Sequence, residues 1–145
     1  MPEAWTDYNG HMSESAFLLT FGDSSDAFFR YVGIDEAYRS RGGSIYTVET
    51  RIKNRREARI GDRLSLTLQL LARDVKRLHV FHEMTNEATS EVLATAEQVL
   101  VHVDMGKGRS SPFPPEIAER LDAILAAHKA LPIPPTVGVP TGLRA

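Results

Sequence analysis

Three polar side chains of complementary chemistry stand two residues apart near the start of this 145-residue sequence. They are Asp7, Asn9 and His11, with Gly10 between the last two to allow a positive φ angle or a close approach to a substrate. A carboxylate can act as a general base or as a nucleophile, while an amide and an imidazole can orient water or a carbonyl group. The same residue types are common in turns and helix caps, so this pattern alone leaves a structural role open.

The element that must position these side chains is a helix predicted over residues 14–32. Its apolar residues recur at helical spacing on more than one face, which indicates a helix surrounded by protein. Ser13 is a candidate N-cap, and Gly33 is a candidate stop. If residues 5–8 form a short strand, Asp7 lies where a strand passes into a helix, and the free amides there favour a developing oxyanion.

After a loop predicted at residues 37–43, the pattern changes to that of strands. Leucines alternate with polar residues over residues 64–70, which is typical of a strand with one buried face. Short connections favour antiparallel pairing, and an amphipathic helix is predicted over residues 116–130. The predicted class is α+β, with an antiparallel sheet wrapped around one long central helix and an extra C-terminal helix. The other predicted strands span residues 44–58, 77–86 and 91–104.

The composition excludes several classes of function. A formal net charge of -2 provides no basic field, so neither nucleic acid nor a membrane is an expected partner. The absence of cysteines removes disulfides, thiolate ligands and a cysteine nucleophile, and it is compatible with a reducing cytoplasm. The start lacks the features of a signal peptide, and no apolar run reaches the length of a membrane span. We expect one cytoplasmic domain over residues 1–131 and a Pro/Gly-rich tail over residues 132–145, extended or disordered.

Several blocks carry a resemblance to one superfamily. The segment DYNGHM before an aromatic-rich helix, with the later elements RREAR and GD, resembles the acyl-CoA and acyl-ACP thioesterases of the hotdog fold. Four blocks in the same order, TDYNGHM, YTVET, KRLHVFH and LATAEQVLVHVD, resemble betainyl-CoA thioesterases of carnitine breakdown, which also occur fused to L-carnitine dehydrogenase. The resemblance covers residues 5–104. It implies a hotdog fold that hydrolyses a small acyl-CoA thioester to the free acid and CoA, with betainyl-CoA as the best-matched substrate.

The resemblance also implies roles for individual residues. Asp7 is the catalytic carboxylate, and Asn9 and His11 orient the water, the thioester carbonyl or Asp7 itself. Glu57 takes the catalytic role assigned to a glutamate at this place in acyl-ACP thioesterases. Backbone amides at the helix start hold the oxyanion, and aromatic faces attract a trimethylammonium group. The expected substrate-binding residues are Trp5, Tyr8, Gly10, Ser13, Tyr46 and Phe81, with Glu49 as a counter-charge. In one departure, Ser13 and Glu14 stand where the acyl-ACP branch often has two asparagines.

No metal and no organic cofactor is implied, because CoA is part of the substrate. His79 and His82 fall on opposite faces of one predicted strand, which argues against a two-histidine metal site. Only six residues precede Asp7, so we expect the edge beside the short first strand to be supplied by a partner subunit or by a longer chain. The group usually forms homodimers or homotetramers with sites between subunits. Candidate cations for the CoA phosphates are Arg55, Arg56, Arg59, Lys76, Arg77, Lys107 and Arg109.

Two alternatives to a thioesterase remain open. A hotdog hydratase or dehydratase would act on acyl thioesters, but those relatives use a different arrangement of Asp, Glu and His. A non-catalytic module would bind acyl-CoA or serve in assembly without turnover. The aromatic candidates Trp5, Tyr46 and Phe81 also have a structural alternative, because such rings are routinely buried in cores and interfaces.

Overall fold

The central helix forms as the sequence predicts. In the computed structural model, which describes residues 1–139, α1 spans Glu14–Val32. The Ser13 hydroxyl accepts a hydrogen bond from the amide of Ala16 at 3.3 Å, as expected of an N-cap. Gly33 ends the helix with a φ of 98°, a conformation that glycine adopts without strain. These two caps fix the start and the end of α1, and they place its start directly after the polar segment.

An antiparallel sheet packs against α1. The strands are β1 (Gly43–Asn54), β2 (Leu64–Arg73), β3 (Arg77–Asn86), β4 (Val92–Asp104) and β5 (Arg109–Ser110). They follow the order β1-β4-β3-β2, with the two-residue β5 paired to β4. This arrangement confirms the predicted α+β class and the antiparallel pairing. The first strand ends at residue 54 rather than at residue 58, because the chain then leaves the sheet to meet the polar segment.

The core consists of two apolar clusters with a polar layer between them. Ser25 of α1, His82 of β3 and Gln98 of β4 form this layer, and each is flanked along its own element by buried apolar residues on both sides. The Ser25 hydroxyl and His82 Nε2 both donate to Gln98 Oε1 at 2.8 Å. The Ser24 hydroxyl lies 3.2 Å from His82 Nδ1, which accepts from it. Because these groups are hydrogen-bonded to one another, they can be buried without a large desolvation cost.

The C-terminal helix closes one edge of the sheet. Residues Pro115–His128 form α3, close to the predicted span, with a proline at the first helical position. Ile117 and Leu121 are buried in the apolar cluster that also contains the end of α1. His128 Nδ1 accepts a hydrogen bond from the amide of Leu70 at 2.9 Å, so α3 also occupies a backbone donor of β2. A free strand edge can pair with a strand of another chain, and α3 covers part of the β2 edge that would otherwise be available for such pairing.

The prediction of a strand over residues 5–8 is wrong. Residues Glu3–Trp5 form a single 3-10 turn, and only isolated bridges follow, from Thr6 to Met12 and from His11 to Arg59. The physical reason is that the chain reverses between these bridges, so the segment pairs with itself and cannot run along the sheet.

The prediction of a loop over residues 37–43 is also wrong. Residues Glu36–Ser40 form a short helix, α2, and the Asp35 carboxylate caps it by accepting from the amide of Tyr38 at 2.9 Å. The Tyr38 ring is buried, and its hydroxyl lies 2.6 Å from His102 Nε2. The polar composition of this segment favoured a loop, but one N-cap and one buried aromatic ring stabilise a short helix there.

The segment after α3 lies against the sheet. Residues 132–139 make hydrogen bonds to β2, β4 and β1, with a turn at residues 135–138, although the sequence predicted an extended or disordered arm. Residues 140–145 of that predicted tail lie outside the described part of the chain. Within residues 1–139, no helix has the length and apolar content needed to cross a membrane.

Candidate active site

One cleft collects the side chains that were predicted to be catalytic. It has a volume of about 330 Å³ and lies between the polar segment, the first turn of α1 and the chain just after β1. Asp7, Asn9, His11 and Glu57 all line it, although Glu57 comes from a distant part of the sequence. The remaining lining residues are Met12, Glu14, Phe17, Asn54, Arg55 and Arg56.

The Asp7 carboxylate is held by its own loop. Its Oδ1 accepts from the amide of Asn9 at 2.8 Å and from the amide of His11 at 3.4 Å. The backbone closes the loop, because the amide of Gly10 donates to the Asp7 carbonyl at 3.0 Å and Gly10 has a φ of 76°. The turn that was the structural alternative is therefore present. Within residues 1–139 it leaves Asp7 Oδ2 without a protein hydrogen bond, so this oxygen is free for a substrate or water.

The side chains of His11 and Glu57 form a pair in the cleft. His11 Nε2 lies 3.1 Å from Glu57 Oε2, and both side chains are partly exposed. An exposed pair of this kind contributes little to stability, so its main effect is to orient the imidazole.

The segment that carries Glu57 is tied to the Asp7 loop by backbone pairing. The amide of Met12 donates to the carbonyl of the buried Ala58 at 2.9 Å, and His11 forms a bridge with Arg59. Asp62 closes the following turn, because its Oδ2 accepts from the amide of Arg59 at 2.8 Å. This turn sets the direction in which residues 57–59 approach the polar segment.

The N-terminus of α1 lies beside Asp7 and the His11–Glu57 pair. The Ser13 hydroxyl accepts from the amide of Ala16, so Ser13 serves as a cap. The amides of Glu14 and Ser15 belong to the first turn of α1, where no intrahelical carbonyl is available to them. Together with the positive end of the helix dipole, they form an environment that stabilises negative charge on a nearby oxygen.

The predicted cations fall into two groups. Arg55 and Arg56 line the cleft, and Arg56 forms an ion pair with Glu91 at 2.6 Å. Arg59 lies on the same segment, two residues beyond Glu57. The other predicted cations do not line the cleft. Lys76 lies in the β2–β3 turn and Arg77 begins β3, while Lys107 lies between β4 and β5 and Arg109 begins β5.

The predicted substrate-binding residues do not all meet at the cleft. Trp5 packs partly buried against the apolar cluster near the cleft, while the Tyr8 ring is 98% exposed at the tip of the loop. Tyr46 lies toward the opposite end of β1 from the cleft, and Glu49 lies near the middle of that strand. At about 3.3 Å per residue, Tyr46 is about 26 Å along the strand from Asn54.

Phe81 is also separate from the cleft. It lies on β3, on the face of the sheet opposite α1, because the neighbouring Val80 and His82 point into the core. Its side chain is only 5% exposed, which makes it a buried structural ring within the protomer.

Four residues that line the cleft were not assigned to the site from the sequence. Met12 directly follows His11. Glu14 and Phe17 stand three residues apart in the first turn of α1, so they share one face of the helix. Asn54 is the last residue of β1. The spacing of Glu14 and Phe17 from the helix cap was the available signal, whereas nothing local marked Asn54. Within the described chain, no three His, Asp or Glu side chains converge in an arrangement that could hold a metal ion.

Comparison with protein families and sequences gives consistent matches. A family model described as the thioesterase-like superfamily matches residues 2–121. A betainyl-CoA thioesterase from Pseudomonas aeruginosa PAO1 is 39% identical over 144 residues, which are 99% of this chain and 90% of the relative. An L-carnitine dehydrogenase/betainyl-CoA thioesterase from Rhizobium meliloti 1021 is 46% identical over 141 residues, 97% of this chain. This chain spans only 28% of the length of that fused relative.

Solved structures agree with the fold. A Staphylococcus aureus protein in complex with CoA matches with a TM-score of 0.93 at 22% identity, covering 99% of this chain and 91% of the other. A candidate thioesterase from Pseudomonas putida KT2440 matches with a TM-score of 0.86 at 32% identity, covering 100% and 93%. The expected hotdog arrangement, a sheet wrapped around one central helix, is confirmed.

Proposed function

The chain belongs to the thioesterase-like superfamily, and we propose that it hydrolyses a small acyl-CoA thioester, betainyl-CoA, to the free acid and CoA. One observation carries this proposal. Asp7, the His11–Glu57 pair and Glu14 at the N-terminus of α1 all line the same cleft. A carboxylate base, an oriented imidazole and free amides are the groups that hydrolysis of a thioester requires.

In this proposal Asp7 acts as a general base. Water attacks the carbonyl carbon of the thioester while its proton passes to Asp7 Oδ2, and the amides of Glu14 and Ser15 stabilise the oxyanion that forms. The carbon–sulfur bond then breaks, and the CoA sulfur takes the proton from Asp7. Asn9 and His11 orient the water and the carbonyl group, and Glu57 fixes the His11 ring. No metal or organic cofactor takes part in these steps.

The choice of betainyl-CoA rests on the named relatives and on the lining of the cleft. Relatives at 39% and 46% identity are named for this substrate. The cleft contains the aromatic ring of Phe17 and the carboxylates of Glu14, Asp7 and Glu57. Aromatic faces and negative charge both favour a trimethylammonium group, by about 0.5–2 kcal/mol for each ring. Arg55 and Arg56 at the same cleft supply cations for the CoA phosphates.

We also propose that the functional form is a homodimer that pairs two β1 edges. Within the sheet β1 is paired on one side only, and its exposed residues include Tyr46 and Val48. Although its register with β4 shifts at Val48, an edge strand of this length is a template for pairing with a second strand. In antiparallel pairing, the first half of one strand lies beside the second half of the other. Tyr46 of the partner subunit would then approach the Asn54 end of the cleft, and Glu49 of the partner subunit would lie about three residues farther from that end. In this arrangement both residues have a role in substrate binding.

The proposal is tested by comparing substrates and one conservative variant. Purified protein is assayed with betainyl-CoA and acetyl-CoA, and release of free CoA is measured. We expect betainyl-CoA to give the higher kcat/KM. We expect Asp7→Asn to lower kcat by roughly 10²–10⁴-fold while substrate still binds. Asp26→Asn, an exposed change on α1, is the matched control and should leave kcat unchanged.

Three outcomes would contradict the proposal. Equal kcat/KM for acetyl-CoA and betainyl-CoA would show that the cleft has no site selective for a trimethylammonium group. Binding without turnover of any acyl-CoA would favour a non-catalytic module, and addition of water to an unsaturated acyl-CoA would favour a hydratase.

The cytoplasmic location expected from the cysteine-free composition is part of the same proposal.

A further inference from the structure

The segment after α3 crosses the sheet along one row of paired residues. Gln69 of β2 pairs with Phe81 of β3, Phe81 pairs with Glu97 of β4, and Glu97 pairs with Arg51 of β1. Side chains at directly paired positions lie on the same face, and this face is opposite α1. We call this face, with its four-residue row, the outer face.

Residues 132–139 contact this row at both ends, and we call this segment the strap. Gln69 Nε2 donates to the carbonyl of Pro132 at 3.3 Å, at the β2 side. Arg51 Nη1 donates to the carbonyl of Val139, at the β1 side. Three strand spacings separate these ends, about 14 Å, which is shorter than eight extended residues can reach. The surplus length is taken up by the turn in the strap, where the amide of Val137 donates to the Pro134 carbonyl at 3.1 Å.

Glu97 is the main attachment point of the strap. The amide of Gly138 donates to Glu97 Oε1 at 3.0 Å and to Oε2 at 3.2 Å. His79 Nε2 lies 2.6 Å from Oε2, and Arg51 lies 3.8 Å from Oε1. Burial acts to raise the pKa of Glu97, but the Gly138 amide, His79 and Arg51 outweigh it and hold the pKa below its ordinary value. Glu97 is therefore a carboxylate at neutral pH, with only 14% of its side chain exposed.

The strap explains the burial of Phe81. This ring lies in the row between Gln69, which binds the strap at Pro132, and Glu97, which binds it at Gly138. All helices pack elsewhere, on the α1 face or at the β2 edge. Without the strap, Phe81 would join the partly buried Val99 and Val101 of the neighbouring strand in an apolar patch. Such a patch on a sheet is suited to stacking against a second sheet.

We propose that the outer face is a docking surface for the strap of the same chain, and that the docked strap prevents two copies from stacking their outer faces. This surface is distinct from the β1 edge of the proposed homodimer. The inference does not depend on the catalytic proposal, because it concerns residues outside the cleft.

The test uses full-length variants that detach the strap by two independent routes. Glu97→Ala removes the acceptor on the sheet. Gly138→Pro removes the donor on the strap, and proline cannot adopt the φ of 74° found there. The matched controls are Glu83→Ala, an acidic residue on the same face of β3, and Thr136→Ala in the strap. Molar mass is measured by light scattering over a concentration series, and amide exchange is measured by NMR.

Both detaching variants should gain a species of twice the parental mass that grows with concentration, while the parent and both controls do not. Exchange of the Gly138 amide should be at least about tenfold faster in Glu97→Ala than in the parent. If the molar mass is unchanged in both variants although the Gly138 amide exchanges faster in Glu97→Ala, the stacking inference is overturned. Equal exchange of Gly138 in the parent and in Glu97→Ala would overturn the docking.

A mixed-label experiment tests whether the strap docks on its own chain. The chain has no cysteines, so Thr136→Cys can carry a single nitroxide label. Labelled chains are refolded together with ¹⁵N-labelled parent chains. The Glu97 amide signal of these ¹⁵N chains is expected to broaden much less than in a chain that carries both the ¹⁵N label and the nitroxide, because across the proposed β1 interface the nitroxide lies farther away. Strong broadening there would show that straps are exchanged between copies, and it would overturn docking within one chain.

Discussion

The imidazole of His11 lies 3.1 Å from the carboxylate of Glu57, and these two residues come from segments joined only through tertiary structure. His11 belongs to the loop that holds Asp7, and Glu57 belongs to the chain just after β1. The contact gives the cleft a second oriented group beside Asp7. It therefore provides a direct way to separate the roles of the cleft residues by mutation.

Removing the charge of Glu57 should slow the chemical step. We expect Glu57→Gln to lower kcat by roughly 10–100-fold with little change in KM, because His11 loses its charged partner while substrate contacts remain. Steady-state assays with the preferred acyl-CoA measure this. Glu119→Gln on an exposed turn of α3 is the control. A rise in KM at constant kcat would instead assign Glu57 to ground-state binding.

Asp62 should act as a positioning residue for the same pair. Asp62→Ala removes the acceptor for the Arg59 amide, so the segment with Glu57 loses its defined approach to His11. We expect kcat to fall by roughly tenfold, with Asp62→Asn restoring most of it because its amide oxygen can still accept. If Asn rescues no better than Ala, then the hydrogen bond is not what positions the segment.

The role of Asp7 as a base can be separated from a role as a nucleophile. A single turnover in H₂¹⁸O is followed by mass spectrometry of the peptide that contains Asp7. A general base directs the label into the free acid and leaves the peptide unlabelled. Label in the Asp7 carboxylate would show that Asp7 forms an anhydride with the acyl group, which would contradict direct attack of water on the thioester.

Breaking the β1 edge should reduce both assembly and activity. Val48 is exposed on this strand, and Val48→Pro would place a residue without an amide donor at the edge. We expect a smaller molar mass in solution and a kcat/KM lowered by at least about tenfold, since the cleft would lose Tyr46 and Glu49 of the partner subunit. A monomer with full activity would show that the cleft is complete in one protomer.

The buried layer should make stability depend on pH. Burial lowers the pKa of His82, and the hydrogen bond with Gln98 offsets only part of this effect. Below about pH 6.5 the unfolded chain therefore binds a proton at this histidine that the folded chain does not. The free energy of unfolding should fall as the pH decreases below 6.5. In urea titrations at pH 7.5 and 5.5, His82→Gln should show a smaller loss than the parent, and equal losses would contradict this assignment.

Local signals in the sequence were sufficient for the main elements and for the first part of the site. The cap at Ser13 and the glycine at residue 33 bound α1 as predicted, and β3 spans the predicted residues. The order Asp7, Asn9, His11 predicted polar side chains beside a helix start, and these three residues line the cleft. The backbone that carries them is the turn that was the alternative, not the predicted strand. These features depend on residues close together in the chain, so residue type and spacing are enough to specify them.

Only the tertiary structure decided which distant residues share a surface. It brought Glu57 to His11, placed Tyr46 far along β1 from the cleft, and put Phe81 in the row that the strap crosses. The register of the strands and the path of the chain after α3 determine these neighbours. Both arise from pairing between residues far apart in sequence, and no local pattern of residue types encodes them. The sequence alone thus determined the central helix, the four long strands and the C-terminal helix, whereas the fold of the Asp7 segment, the completed cleft and the covered outer face required pairing seen only in the structure.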